Sequence, residues 1–149
     1  METVIKRAAA DNLNDILRLL GVQLVEHQIE VSADRLRSAV ESVLVDPDLG
    51  FILVGVNGQK CIAVAYVSFI WALEHGGRSG WLEELYVEPG FRSGGIGTAL
   101  IEQTMKECSA CGCAAVDLEI EADHERVRSL YSRLGFESLS RSRVVKKLV

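Results

Sequence analysis

The segment Leu85-Tyr86-Val87-Glu88-Pro89-Gly90-Phe91-Arg92-Ser93-Gly94-Gly95-Ile96-Gly97-Thr98 constrains this chain more than any other. An apolar, strand-like run stops at Pro89-Gly90. A basic loop studded with glycine follows and passes into an amphipathic helix. Such a strand–loop–helix unit presents several backbone N–H groups at a helix N-terminus, an arrangement suited to holding phosphate. Two familiar phosphate loops do not fit. No Lys-Ser or Lys-Thr follows Gly97, which excludes a Walker A loop. A dinucleotide fingerprint needs a third glycine where Leu100 stands.

The remaining pattern resembles motif A of the GNAT acetyltransferases, roughly LYVxPxxRxxGxG. A second segment, Leu130-Tyr131-Ser132-Arg133-Leu134-Gly135-Phe136, is similar to motif B of the same superfamily, LYxxxGF. One helix and one strand separate the two, which makes the pair far more specific than either alone.

Hydrophobic patterning supplies the rest of the order. Thr3–Arg7 reads as a strand. Asp11 or Asn12 is placed to cap a helix whose stripe is Leu13, Ile16, Leu17, Leu20 and Leu24, and Ser32 to cap a second helix with Leu36, Ala39, Val40, Val43 and Leu44 on one face. Phe51–Val56 and Cys61–Phe69 form a hairpin through Asn57-Gly58. Residues 74–80 read as a polar, Gly-rich loop before a strand at Trp81–Val87. The helix after the phosphate loop ends near Gly112. Residues 114–121 alternate as a strand, with Val116, Leu118 and Ile120 opposite Asp117, Glu119 and Glu121. Glu125–Leu134 is a short helix, and Phe136–Leu139 with Val144–Leu148 a terminal hairpin. The expected fold is α/β in the order β-α-α-β-β-β-α-β-α-β-β, one domain with a mixed, mostly antiparallel sheet. This order matches the GNAT order from end to end.

Composition narrows the function classes. Sixteen basic against 21 acidic residues give a net charge of −5, which argues against nonspecific nucleic-acid binding. Hydrophobic residues make up 48% of the 149, enough for a core without staples. No signal peptide opens the chain and no apolar run is long enough for a bilayer, so it reads as cytoplasmic and not membrane-bound. Cys108, Cys111 and Cys113 cluster without a paired second motif, so all four cysteines read as reduced thiols rather than metal ligands.

The resemblance implies an acetyl-CoA-dependent N-acetyltransferase with no metal. Its cofactor-binding residues would be Leu85, Tyr86 and Val87 on the strand and Arg92, Ser93, Gly94, Gly95, Ile96, Gly97 and Thr98 in the loop. The Arg92 side chain would pair with a phosphate or face solvent. Motif B implies Tyr131 as acid toward the leaving thiolate, with Val127 near the cofactor. His124 stands where the family often carries Asn. Trp81-Leu82-Glu83-Glu84 is similar to the acidic strand of polyamine-type members, which implies Glu83 as base and Glu84 as amine binder. Successive strand residues face opposite sides, so both reach one substrate only if the strand is distorted. The acidic strand faces and the net charge lean toward a small cationic amine as acceptor. A protein N-terminal or lysine acetyltransferase and a non-catalytic acyl-CoA sensor are the alternatives. Family members commonly dimerise, and the terminal strand is where an interface would form; the sequence leaves the oligomeric state open.

Overall fold

The structure is a computed structural model and describes residues 2–120 and 125–149. His124 and Glu121, both singled out by the sequence, lie outside the described residues. The chain divides into two compact units, Met1–Glu119 and Ile120–Val149.

The first unit runs β1 (Thr3–Arg7), α1 (Leu13–Glu26), α2 (Ala33–Val45), β2 (Gly50–Asn57), β3 (Lys60–Ala72), β4 (Gly77–Val87), α3 (Ile96–Ala110) and β5 (Ala115–Leu118). The strands lie in sequence order in one sheet, antiparallel except for the parallel β4–β5 pair. That parallel pair needs a crossover, and α3 supplies it. Central strands covered on both faces read as continuous apolar runs, and Phe51–Val54 and Cys61–Ala65 are all buried. Ile52, Val54, Val64 and Tyr86 share one face with Ile16, Leu19 and Leu20 of α1 and Val40 of α2. The alternate residues face α3, where Val67 and Cys108 crowd around Gly80.

Local chemistry explains most boundaries. Ser32 accepts a hydrogen bond from the Arg35 N–H and caps α2 at 3.2 Å. Gly58 takes φ +67° in the tight β2–β3 turn. Asn12 departs from the expected cap. It sits buried in a short 3₁₀ turn, Ala10–Asn12, and its Oδ1 accepts from the Ala9 N–H behind it at 2.9 Å. The expected loop at 74–80 is also mostly strand. β3 extends to Ala72, Leu73–His75 makes one 3₁₀ turn, and β4 begins at Gly77. Asp117 ties this turn down, accepting from Ser79 Oγ at 3.2 Å and lying 3.0 Å from His75 Nε2. The sequence counted Asp117 toward a cationic acceptor; its carboxylate is engaged in this structural contact.

The second unit holds α4 (Glu125–Arg133). Its end is a Schellman cap. Gly135 has φ +93°, the Phe136 N–H donates to the Tyr131 carbonyl at 3.0 Å and the Gly135 N–H to the Ser132 carbonyl at 3.1 Å. The Tyr131 and Phe136 rings meet edge to face at 5.4 Å. The terminal hairpin expected beyond it is not formed: residues 136–149 carry no strand, and Val144, Val145 and Leu148 are exposed. Val-Val-Lys-Lys-Leu does not alternate, and a lone hairpin without an apolar face is marginal in water.

At Gly80 the α3 layer closes against the sheet with no room for a side chain. A Cβ there would lie 2.8 Å from Cys108 Sγ and 3.2 Å from a Val67 methyl carbon, neither of which has room to retreat. Gly80→Ala is expected to cost roughly 1–3 kcal/mol, the usual range for overpacking, read as a lowered urea midpoint with unchanged m-value.

Candidate functional site

The site grows from a defect in β4. Tyr66 pairs with Glu84 but Val67 pairs with Leu82, so Glu83 is an extra residue bulged out of the ladder. The bulge breaks strict alternation, and Glu83 and Glu84 both line one cavity of about 230 Å³. Tyr66 of β3 stands beside them, and Leu20, Leu24, Leu36 and Val43 from α1 and α2 form much of the remaining wall.

The two carboxylates differ in environment. Glu83 is exposed and hydrogen-bonds the Tyr66 side chain; burial first, then this negative neighbour, pushes the Tyr66 phenol up to about 12. Glu84 is half-buried, and its carboxyl is raised above the ordinary glutamate value. Burial is the main cause, His27 opposes it, and the charge of Glu83 adds to it.

β4 also leaves β5 early. Their pairing covers Ser79–Leu82 against Ala115–Leu118, so from Glu83 onward that edge of β4 has no described strand beside it. The Glu88 N–H bonds to the Ile62 carbonyl of β3 at 2.9 Å. By antiparallel alternation, the N–H and C=O groups of Leu85 and Val87 therefore point to the open edge. Side chains already take both carbonyls. Gln23 Nε2 of α1 donates to Leu85 O at 2.9 Å, and Arg92 Nε donates to Val87 O at 2.7 Å. Among the described residues, no partner takes the Leu85 and Val87 N–H groups, which are thus placed to meet a ligand.

The loop after β4 is anchored at both ends. Glu88 is bridged by Arg18 and by Lys60, the latter at 3.1 Å. Burial works against its charge, but hydrogen bonds from Arg18 and Lys60 outweigh it and hold the carboxyl below the usual range. Arg92 folds back, its guanidinium 5.3 Å from the Tyr86 ring centroid. It thus ties the loop to β4 while the residue itself stays exposed, in keeping with the solvent-facing alternative of the sequence. Ser93 and Gly95 take φ +67° and +85°, conformations costly for most side chains. The first helical bond of α3 runs from Ala99 N–H to Gly95 O at 3.0 Å. The N–H groups of Ile96, Gly97 and Thr98 therefore have no partner inside the helix. A Cβ on Gly95 or Gly97 would meet nothing within 4 Å. Open space beside unpaired donors at a helix N-terminus is what a pyrophosphate requires.

Tyr131 belongs to the second unit. It is buried, and burial pushes its phenol up to about 12, so it carries its proton at neutral pH. Val127, on the same helix, is half-buried.

Three residues at the site escaped the sequence reading. Gln23 is only 6% exposed, and its Oε1 has no hydrogen-bond partner among the described residues. A polar residue three positions after Leu20 on the apolar stripe of α1 was the available signal. Tyr66 was hidden in an apolar run, and Arg35 carried no signal at all. The cysteines are all free. Cys61 and Cys108 are buried, Cys111 and Cys113 half-buried, and burial pushes Cys108 up to about 12. Among the described residues no cluster of three His, Cys, Asp or Glu side chains could hold a metal, and no helix is long and apolar enough to cross a membrane.

Comparison with known proteins gives the family and the fold. The family model described as acetyltransferase (GNAT) family matches residues 4–136. Thialysine N-epsilon-acetyltransferase of Mus musculus is 26% identical over 151 residues, covering 94% of this chain and 87% of that protein. An acetyltransferase of Pectobacterium atrosepticum is 32% identical over 104 residues, covering 70% and 68%. Among solved structures, an aminoglycoside N-acetyltransferase in complex with CoA superposes with a TM-score of 0.84 at 18% identity, covering 99% of this chain and 96% of that one. A predicted acetyltransferase with acetyl-CoA from Clostridium acetobutylicum gives 0.82 at 19% identity, covering 97% and 96%.

The raised Glu84 pKa has a stability consequence. A carboxyl whose folded pKa lies above its unfolded value weakens the fold once pH exceeds both, and the penalty vanishes below the unfolded pKa. Glu84→Gln is therefore expected to raise Tm at pH 7 relative to wild type and to lose that advantage toward pH 4. A pair of thermal melts at the two pH values checks it.

Proposed function

The chain belongs to the acetyltransferase (GNAT) family and is an acetyl-CoA-dependent N-acetyltransferase, and from that premise we propose that it acetylates a primary amine by direct attack within a ternary complex. The observation that carries this reading is the pairing of an open β4 edge and phosphate-ready loop with two carboxylates at one cavity.

Each step has an assigned group. Backbone N–H groups from Ser93 to Thr98, with the α3 dipole, hold the pyrophosphate. The free Leu85 and Val87 N–H groups bind the pantetheine arm and face the developing oxyanion, which a preorganised donor stabilises. A carboxylate takes a proton from the arriving ammonium. The nitrogen lone pair then attacks the thioester carbon, the C–S bond breaks, Tyr131 gives its proton to the departing thiolate, and the second proton shed by the new amide nitrogen restores the phenol. Glu84 is assigned the base and Glu83 the attraction of the ammonium, the reverse of the order that family resemblance suggests. Its desolvated, raised carboxyl is the better matched base at neutral pH, whereas Glu83 is exposed and held by Tyr66. A small cationic amine fits a cavity whose acidic end is this pair, and a cytoplasmic location suits an enzyme with four free thiols.

Gly97→Val should weaken acetyl-CoA binding at least tenfold in calorimetry while circular dichroism stays unchanged. Its backbone is unstrained, so the new methyl groups act only by filling the phosphate's approach. Unchanged affinity would remove the cradle from the mechanism. Gly95→Ala is the poorer probe, since its positive φ adds strain of its own.

The acid and base are read from turnover. Tyr131→Phe should lower kcat by roughly 10²–10⁴ with acetyl-CoA affinity preserved. Glu84→Gln should abolish the acidic limb of the pH–rate profile and recover as pH approaches the amine's own pKa. Glu83→Gln should raise KM for cationic amines. If Glu83→Gln alone loses the limb, it is the base.

A further inference from the structure

The cavity at the bulge is acidic at one end and apolar nearly everywhere else. Among the described residues, Glu83 and Glu84 are the only carboxylates lining it. Apart from Tyr66 beside Glu83, the described wall behind them is leucine, valine, isoleucine and alanine side chains, with the Arg35 guanidinium as its one other charged group. A polyamine carries a second ammonium a few bonds from the first. In this cavity that charge would lie against hydrocarbon, or beside the like charge of Arg35 with no described carboxylate there to pair it, which is unfavourable. A single ammonium with a hydrocarbon body meets the opposite conditions. Its charge reaches the carboxylates and its carbons bury against α1 and α2.

The geometry points to a primary monoamine with an apolar body, of the alkyl or arylalkyl class, as the acceptor this site takes, rather than a polyamine. This rests on the amine-acetyltransferase reading above and sharpens it. The size is set by the cavity. An apolar cavity of about 150 Å³ takes benzene, so one of about 230 Å³ suits a somewhat larger body such as a phenylethyl or heptyl chain. Ala39 marks the rim, lining the cavity while remaining exposed. A neighbouring groove shares Leu24, Val31 and Leu36 with the cavity and, among the described residues, carries one carboxylate, Glu30. A long diamine could direct its far ammonium there, and this makes diamines the discriminating probe.

The test is a turnover series with acetyl-CoA, read as released CoA thiol, on n-propylamine through n-octylamine, 2-phenylethylamine, putrescine and spermidine. We expect kcat/KM to rise roughly fourfold per added methylene, the equivalent of about 0.8 kcal/mol, and to level off near seven or eight carbons. 2-Phenylethylamine should exceed putrescine and spermidine at least tenfold. Ala39→Phe, folded by circular dichroism, should move the plateau to a shorter chain. Arg35→Gln should raise putrescine turnover relative to hexylamine; the cap of α2 uses only the Arg35 backbone, so the helix is kept. A flat alkyl series, or spermidine or a peptide N-terminus as the best acceptor, overturns the monoamine assignment and leaves amine acetylation standing. If the protein binds acetyl-CoA in calorimetry but acetylates no amine or peptide, both the assignment and the amine-acetyltransferase reading fall.

Discussion

Every part of the candidate site in the first unit depends on how β4 parts from its neighbours. One residue too many at Glu83 and an early end to the β5 pairing act over the same few positions. The bulge turns both carboxylates toward one cavity, and the parting frees main-chain donors on the opposite edge. A regular strand would bury those N–H groups in a ladder and send the two side chains to opposite faces. Backbone polar groups are rarely left unpaired inside a protein, so an edge opened this way is poised for an extended ligand with its own amide groups.

That opening is held by side chains rather than left loose. Gln23 and Arg92 take the Leu85 and Val87 carbonyls, one from α1 and one from the loop itself. The edge therefore presents donors and withholds acceptors. A donor-rich edge suits carbonyl oxygens and a developing oxyanion. Glu88, bridged by Arg18 and Lys60, fixes the loop that begins at its end. Exposed ion pairs add little to stability, but here they set the direction in which the chain leaves the sheet.

The motif around Tyr131 has a structural explanation of its own. The Tyr-x-x-x-Gly-Phe spacing places the glycine at the left-handed position of a Schellman cap and the two aromatic rings in contact across it. The same residues that end α4 thus fix the backbone and ring of Tyr131. The acid role proposed for Tyr131 would benefit from that rigidity, because a general acid acts only from a defined position.

Much of this was legible in the chain. Local rules place elements wherever the deciding interactions lie within a few residues: the Ser32 cap, the hairpin turn at Gly58 (one residue later than expected, since Asn57 still pairs with Lys60), the loop from Pro89 to Thr98, the stripes of the helices. Those rules also carried the family, because a phosphate loop is a local device of backbone and glycine. They failed where partners come from far along the chain. Asn12 turned backward to Ala9, residues 77–80 joined a strand because β3 and β5 flank them, and the terminal hairpin lacked a face to bury. The bulge at Glu83 appears only when β3 and β4 are laid in register, since neither strand alone has a residue too many. The Glu84 shift, the Arg92 contact with Val87 and the reach of Gln23 to Leu85 likewise follow from burial and proximity across the fold. Sequence by itself determined which chemical groups this protein has and the local shapes that carry them. Tertiary packing decided which of them meet and how far each is removed from water, because desolvation and register are properties of several segments together.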